Sequence, residues 1–248
     1  AYTPIGYTIT LDGADPVPVT VKDASSEKTE FAKLGDKTGY EFAGWKLSTD
    51  DTAAYYNYYA VGENGGEWGV WLYPDKGGAS GHFVPFNEGF SLSLTAAYTA
   101  KEYTVTFNPN GGEVGKSEQE VIYDSVYGIL PVPTRNGYTF DGWFTEQEGG
   151  TQITANDVVK ITADQTLFAH WTAIEYKIVY YTGSGTNHPD NKSVYTIESE
   201  FKFEDPTAPE GYTFVCWLNA ANNEKISGIT EGRTGDLTLI AQYKPNTY

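Results

Sequence analysis

One short motif occurs three times in this chain, and it constrains the fold more than any other feature. The segments TGYEFAGWK (38–46), NGYTFDGWF (136–144) and EGYTFVCWL (210–218) share the pattern Gly-Tyr-x-Phe-x-small-Trp. A catalytic motif is seldom needed in triplicate, whereas a folding unit is often used in series. The pattern therefore predicts three copies of one structural unit.

Each copy of the motif lies between two strand-like segments. Large apolar residues alternate with threonine before the motif in GYTITL (6–11) and EYTVTF (102–107), and EYKIVY (175–180) keeps one apolar face. After the motif, Leu-x-Ala-x-aromatic recurs in LSLTAAYTA, QTLFAHWTA and LTLIAQYKP. A two-residue period is typical of strands with one buried face. Each unit is therefore predicted to open and close with a strand, and the small alanine leaves room for a bulky neighbouring ring.

The flanking segments set the limits of the units. The first repeat covers residues 1–100, the second 101–173 and the third 174–248. Almost no linker separates them, which restricts how far neighbouring units can swing. Helix signals are few, and the best of them, TANDVVKI (154–161) and DSVYGIL (124–130), are short. We expect a mainly β chain, α+β at most, with no more than one short helix or helical turn in each unit.

The motif itself is predicted to contribute buried core side chains and a turn. Its tyrosine and phenylalanine share one strand face, and its tryptophan lies on the other face unless a bulge intervenes. The leading glycine has no substitute in any copy, which favours a turn with positive φ. The small position holds cysteine in the third copy, which favours close packing there over a need for positive φ. The structural motif residues are Gly39, Tyr40, Phe42, Gly44 and Trp45; Gly137, Tyr138, Phe140, Gly142 and Trp143; and Gly211, Tyr212, Phe214, Cys216 and Trp217.

Composition excludes several classes of partner. The chain has 16 Lys+Arg against 33 Asp+Glu, a formal net charge of −17. Such a surface repels nucleic-acid phosphates and anionic lipid. No apolar run approaches the roughly 18 residues that a membrane span needs. We therefore expect no nucleic-acid partner and no membrane insertion.

No catalytic or metal-binding constellation is evident in the sequence. His82, His170 and His188 lie in three separate segments without metal-ligand spacing. There is no Gly-x-Ser-x-Gly nucleophile elbow, and no Gly-Gly pair precedes the Lys-Ser/Thr of a phosphate loop. The single cysteine, Cys216, lies in a core motif and is expected to be a buried, unreactive thiol. The sequence therefore predicts no enzyme and no cofactor, and it has no metal-ligand spacing, although Asp12 with Asp15, Asp50 with Asp51 and Asp190 with Asn191 offer oxygen ligands that suit calcium outside an EF-hand.

The second repeat resembles a known family. From Tyr103 to Trp171 it resembles the Listeria–Bacteroides repeat, also called the internalin B-type B repeat, in its Asn-Gly-Gly turn (110–112), its Pro-x-Pro approach (131–133) and its central and terminal motifs. The third repeat is similar to a divergent copy, and the first keeps only the central and terminal motifs. The resemblance implies small β-grasp, ubiquitin-like modules in an extended row. It also implies a secreted or cell-wall bacterial protein, and no family catalytic residues.

The first repeat differs by a long aromatic insertion. The distance from the motif tryptophan to the closing aromatic is 53 residues there, against 28 and 26 in the other repeats. The insertion, residues 49–90, is predicted to form a hairpin or two, with GEWGVWLYP (66–74) as one strand, a turn at 75–78 and GHFVPF (81–86) returning. Its rings either pack the loop onto the unit or stay exposed and bind a flat ligand or a protein. The candidate ligand-binding residues are Tyr55, Tyr56, Tyr58, Tyr59, Trp68, Trp71, Tyr73 and His82.

Three functions follow from these features. The leading hypothesis is a non-catalytic stalk or adhesion segment of an extracellular protein at the bacterial cell surface or in the cell wall. Its expected partners are a host or neighbouring-cell surface protein or glycan, and upstream and downstream domains of the same polypeptide. The first alternative is a carbohydrate-binding module that uses the aromatic insertion, which exposed coplanar rings would favour. The second is an accessory region of a secreted polysaccharide-degrading enzyme, which an apolar patch ordered only beside an upstream domain would favour.

Overall fold

The fold is given by a computed structural model, which describes residues 6–19, 25, 27–47, 54–87 and 90–247. All regular elements of these residues are β-strands, so the prediction of a mainly β chain is confirmed. The strands are β1 (Tyr7–Leu11), β2 (Val17–Val19), β3 (Thr29–Glu30), β4 (Tyr40–Leu47), β5 (Tyr58–Asn64), β6 (Glu67–Tyr73), β7 (His82–Pro85), β8 (Leu92–Ala100), β9 (Glu102–Asn108), β10 (Glu118–Ile122), β11 (Tyr138–Phe144), β12 (Gln152–Ile153), β13 (Gln165–Ala173), β14 (Tyr176–Tyr181), β15 (Val194–Tyr195), β16 (Phe201–Lys202), β17 (Tyr212–Asn219), β18 (Lys225–Ile226), β19 (Gly228–Ile229) and β20 (Leu237–Pro245).

The two segments that carried the best helix signals are not helical. Asp157 closes a turn by accepting a hydrogen bond from the backbone N–H of Thr154 at 2.6 Å. The chain then pairs through an isolated antiparallel bridge between Val126 and Val158. The absence of helices from the described residues lies within the expected limit of no more than one short helix or helical turn in each unit, and the β-branched valines favour a bridge once a partner backbone lies alongside.

Three mixed sheets of similar topology follow the three repeats. Their strand orders are β2-β1-β8-β4, β10-β9-β13-β11-β12 and β15-β14-β20-β17-β18. In each sheet the opening strand of the repeat lies parallel to the closing strand, and the motif strand pairs antiparallel on its other side. Parallel neighbours need a long crossover, which the motif and its flanking loops supply. A central parallel pair of first and last strands is compatible with the β-grasp arrangement.

The closing strands explain their repeated alanine. Ala96 lies opposite Trp45, Ala169 opposite Trp143, and Ala241 opposite Trp217. All three indoles are buried. A larger side chain at the alanine would occupy the space of the ring, since directly opposed residues lie only about 5 Å apart. The prediction that the alanine makes room for a bulky neighbour is confirmed.

The described residues form two compact units. The first contains residues up to 104 together with 120–127 and 158–164, and the second contains 105–119, 128–157 and 165–247. Segments of the second repeat thus belong to the same unit as the first repeat. The division into three modules at residues 100 and 173 stays a prediction.

The aromatic insertion forms a sheet of its own in the first unit. Strands β3, β5, β6 and β7 follow one another in an antiparallel order, so the predicted strand, turn and returning strand are confirmed. Val61, Val70 and Val84 lie opposite one another on one face, which packs into the core of the first repeat. The insertion is therefore part of that core. Residues 49–53 and 88–89 of the predicted insertion lie outside the described residues.

Candidate interaction sites

The repeated motif begins with a tight turn at its leading glycine. Gly39, Gly137 and Gly211 have φ angles of 74°, 77° and 80°. These angles lie in the left-handed region, which a side chain disfavours. The prediction of positive φ at this position is confirmed in all three copies.

A bulge in the motif strand directs the tryptophan inward. The pairing register shifts between Phe42 and Gly44, and the equivalent shift occurs in β11 and β17. The extra residue brings the phenylalanine and tryptophan rings of each copy together, with centroids 5.5 Å apart in all three. Each buried indole N–H donates to a backbone carbonyl, that of Ala32, Pro131 or Glu204, at 2.8–3.2 Å. The motif tryptophans are thus core residues with a satisfied polar group.

The small position of the motif does require a positive φ in two copies. Gly44 and Gly142 have φ angles of 137° and 144°, whereas Cys216 is not among the described residues with positive φ. A Cβ on Gly142 would lie 2.3 Å from the amide nitrogen of Gln152. That amide donates to the carbonyl of Asp141 at 3.1 Å. The expectation that only packing matters here was wrong, because the third copy builds its bulge with a different backbone.

A tyrosine of the second repeat packs against the first motif turn. Gly39 is buried, and a Cβ there would lie 2.2 Å from the Tyr123 ring. The Tyr40 and Tyr123 rings meet edge-on at 5.4 Å. The Tyr40 hydroxyl donates to the carboxylate of Asp124, which also pairs with the Lys160 ammonium. We call this set of contacts the first joint.

The charges of the first joint reinforce one another. Hydrogen bonds from Lys160 and from the Tyr40 hydroxyl lower the pKa of Asp124, and the bond to Asp124 raises the pKa of Tyr40. A second ion pair joins Lys101 to Asp36 at 2.8 Å. All these groups are exposed to water, so each pair contributes little alone and acts mainly by fixing geometry.

Residues of the third repeat pack against the second motif turn in the same way. Gly137 is buried, and a Cβ there would lie 2.6 Å from Cδ1 and 2.9 Å from Cβ of Ile197. The Tyr138 hydroxyl donates to the Glu198 carboxylate at 2.6 Å, which raises the pKa of Tyr138. We call these contacts the second joint. Both joints therefore pair a Gly-Tyr turn with a bulky residue followed by an acid.

No sequence motif identified these acceptor pairs. Asp124 lies 14 residues before Tyr138, and Glu198 lies 14 residues before Tyr212. This constant offset from the motif is the one signal that could have revealed them. It is weak, because a chain with 33 acids contains many bulky residues followed by an acid.

The outer face of the insertion sheet carries a cluster of aromatic rings. Trp71 lies between Tyr73, with ring centroids 6.5 Å apart at 23°, and Phe83, with centroids 5.0 Å apart at 50°. The ammonium of Lys28 lies 3.9 Å from the centroid of the Tyr73 ring. The three rings are partly exposed, and Gly62 and other small residues lie below them. We call Trp71, Tyr73 and Phe83 the outer aromatic cluster.

Of the other candidate ligand-binding residues, Tyr58 lies opposite Tyr73 and therefore on the face of this cluster, whereas Trp68, Tyr56 and Tyr59 lie elsewhere. Trp68, 37% exposed, is three residues before Trp71 on a regular strand and therefore points to the opposite face. Tyr56 is only 5% exposed, so its ring offers no face to a ligand. Tyr59 packs against Phe31 at 4.8 Å. The remaining three are Tyr58, opposite Tyr73 in the sheet; Tyr55, near the Lys46 ammonium; and His82, which is exposed.

The described residues contain no group of three or more metal-ligating side chains. His170 stacks on Phe144, with centroids 3.9 Å apart, and its Nε2 lies 3.0 Å from the backbone carbonyl of Glu146. Cys216 is partly exposed rather than fully buried. No helix in the described part of the chain is long and apolar enough to cross a membrane.

Comparisons with known proteins agree with this arrangement. The Listeria-Bacteroides repeat domain matches residues 103–170 and 176–242. A putative Gly-rich membrane protein of Evansella cellulosilytica is 24% identical over 98% of this chain and 26% of its own length. Internalin H of Listeria monocytogenes is 30% identical over 66% of this chain and 28% of its own length. A putative membrane protein of Evansella cellulosilytica is 30% identical over 62% of this chain and 24% of its own.

The chain thus spans about a quarter of the length of these relatives. The matches indicate a repeat region of a surface-associated protein. Because the family matches cover more than half of the residues, the chain belongs to the Listeria-Bacteroides repeat domain family.

Proposed function

We propose that the chain is a non-catalytic stalk segment of an extracellular bacterial surface protein, which holds successive repeats in fixed orientation and presents the insertion sheet for adhesion. The observation that carries this proposal is the common design of the two joints. Each joint combines a buried glycine, a tyrosine hydroxyl and a carboxylate. A connection used only as a flexible tether would not need the same contacts twice.

The backbone strengthens the same connections. The N–H of Lys101 donates to the carbonyl of Gly39 at 2.8 Å, and the N–H of Ile174 donates to that of Gly137 at 2.9 Å. The end of each closing strand is thereby tied to the motif turn of its own repeat. The opening strand of the following repeat, β9 or β14, begins one or two residues later, so little free chain remains to swing.

The fixed orientation of the second and third repeats can be tested with spin labels. The experiment replaces Cys216 by alanine and places label cysteines at the exposed positions Glu148 and Asn222. We expect a narrow distance distribution by electron–electron double resonance. Removing the second joint with Ile197→Ala and Glu198→Gln should broaden it, because the bulky contact and the carboxylate are lost together.

Glu200→Gln is the matched control, because it removes an exposed acid two residues away from Glu198. It should leave the distribution narrow. A parent distribution as broad as that of the joint variant would contradict the stalk function. Hydrogen exchange in β17 should show that the third repeat remains folded in every variant.

A second function, carbohydrate binding, is favoured by the outer aromatic cluster. The Trp71 and Tyr73 rings are inclined by only 23° and lie over small residues on a solvent-facing sheet. Sugar rings stack on such aromatic faces, and the rigid side chains lose little entropy on binding. This face is the place where the first repeat would contact a glycan.

Affinity gel electrophoresis against a panel of polysaccharides tests this second function. We expect Trp71→Ala to abolish retardation while Trp68→Ala, on the opposite face, leaves it unchanged. Equal loss in both variants would show that the outer face is not the binding surface. Absence of retardation in the parent chain would contradict the glycan role itself.

A further inference from the structure

We propose that the surface around Gly211 and Tyr212 is a docking site for a further repeat of this family. The occupant would present a bulky residue followed by an acid, as Ile197 and Glu198 do in the second joint. This inference rests on the proposed stalk function and extends it to a surface that is open in the third repeat. We call this surface the open turn.

The open turn has the same backbone as the two occupied turns. Its glycine has a φ of 80°, against 74° and 77° in the others. The N–H of Asn246 donates to the carbonyl of Gly211 at 2.8 Å, which repeats the bond that ties the occupied turns. Docking would therefore need no rearrangement of the turn, and a preorganised surface binds at lower entropic cost.

The side chains of the open turn are unoccupied where the other copies have a partner. A Cβ on Gly211 would meet no atom within 4 Å, although the equivalent glycines face Tyr123 and Ile197. Tyr212 is 47% exposed, and its hydroxyl has no hydrogen-bond partner among the described residues. The two groups that make each joint are thus both present and both free.

Among the described residues no cation lies over the ring of this tyrosine, unlike in the second repeat. The Arg135 guanidinium lies 3.8 Å from the centroid of the Tyr138 ring. The residue at the same position before the third turn is Pro209. It carries no charge to place over the ring, and Tyr212 is 47% exposed.

A second copy of this chain cannot supply the occupant through its second or third repeat. The pairs at Tyr123–Asp124 and Ile197–Glu198 are already used in the two joints. The first repeat has Ser26 in place of the acid, 14 residues before Tyr40, so the partner of the open turn is an additional repeat whose bulky-acid pair is free. An acid is required because the tyrosine hydroxyl donates in both occupied joints.

The test adds a fourth repeat to the intact chain. Tyr248 follows Asn246 at the same spacing as Tyr176 follows Ile174, so a copy of residues 177–248 is joined directly after Tyr248. Cys216 and its copy are replaced by alanine. Gly211 and the copy of Ile197 are then changed to cysteine, and disulfide formation under mild oxidation is followed by mass spectrometry after proteolysis.

The control pair is Gly137→Cys with Ile197→Cys in the three-repeat chain. A Cβ on Gly137 would lie 2.9 Å from the Cβ of Ile197. Disulfides span about 3.5–4.5 Å between these atoms, so a small shift allows the bond. We expect Gly211→Cys and the cysteine at the copy of Ile197 to cross-link at a rate within about tenfold of the control pair. A tenfold difference corresponds to about 1.4 kcal/mol.

The outcomes separate the inference from the function on which it rests. Failure of the control pair to cross-link in a folded chain would contradict the second joint and hence the stalk function. A control pair that cross-links, beside a four-repeat chain that does not, would overturn the docking site alone. Cross-linking of Gly211→Cys to a cysteine placed at the copy of Asn222, at the same rate as to the copy of Ile197, would also overturn it. Hydrogen exchange in β17 establishes that each variant is folded.

Discussion

Alanine substitutions at two equivalent glycines should differ in cost because only one of them faces another repeat. Gly137 and Gly211 occupy the same turn with φ angles of 77° and 80°. Placing alanine in this left-handed region costs about 1–2 kcal/mol at either site. Gly211→Ala should show only this cost, because its new methyl group enters open space.

Gly137→Ala should add a packing cost at the second joint. The new Cβ would lie 2.6 Å from Cδ1 of Ile197, roughly 1 Å short of the 3.5–4.0 Å at which carbon atoms attract. Overpacking of this kind costs about 1–3 kcal/mol. We therefore expect a total of about 2–5 kcal/mol, and the difference between the two variants isolates the contact with the third repeat.

Native-state hydrogen exchange is the appropriate assay, because it reports the opening free energy of each repeat separately. Amides of β11 report on Gly137→Ala, and amides of β17 report on Gly211→Ala. The spin-label distance across the second joint shows whether the clash is relieved by separation of the repeats. Equal costs at both glycines, with an unchanged distance, would refute the close approach at Gly137.

Two further predictions concern the core and the first joint. Trp143→Phe should destabilise β11 by about 1–3 kcal/mol in hydrogen exchange, since it leaves the partly buried carbonyl of Pro131 without its donor; an unaffected opening free energy would contradict that role. The pKa of Asp124 is lowered by Lys160 and Tyr40, so its contribution to the first joint is present above the ordinary aspartate pKa and is lost as the pH falls through the lowered value. The nuclear magnetic resonance chemical shifts of Tyr40 should follow the titration of Asp124. Asp124→Asn should remove this pH dependence, and asparagine tolerates the φ of 64° at position 124.

The strands of each repeat could be predicted from the sequence because their signals are local. Alternation in GYTITL and LTLIAQYKP follows from one buried face, and the structure places a strand on each. The alanine opposite each motif tryptophan was predictable for the same reason. These features depend on residues within a few positions of one another.

The bulge and the joints were harder to predict because their causes are not local. Cysteine at position 216 suggested that the motif tolerates ordinary backbone, yet Gly44 and Gly142 use φ angles that cysteine avoids. The acceptor at Glu198 lies 60 residues from its donor, Tyr138. A single sequence shows the bulky-acid pair but gives no reason to place it beside a turn in another repeat.

The sequence alone predicts only in part which candidate ligand-binding residues share a face and which are buried. The spacing of Trp68 and Trp71 already implies opposite strand faces, although the candidate ligand-binding set contains both. The burial of Tyr56 depends on its β-bridge to Trp45, which cannot be predicted from the local sequence pattern. The glycan-binding role of the other rings stays a prediction.

The two sides of each joint differ chemically, and this difference gives the chain a polarity. One side is a glycine-tyrosine turn and the other a bulky residue followed by an acid, so the interface is heterologous rather than self-complementary. Two identical turns cannot satisfy one another, which disfavours two-fold pairing through this surface. Repeats can instead be gained or lost as whole units during evolution without any new contact having to arise, because every added unit brings both halves of the same interface.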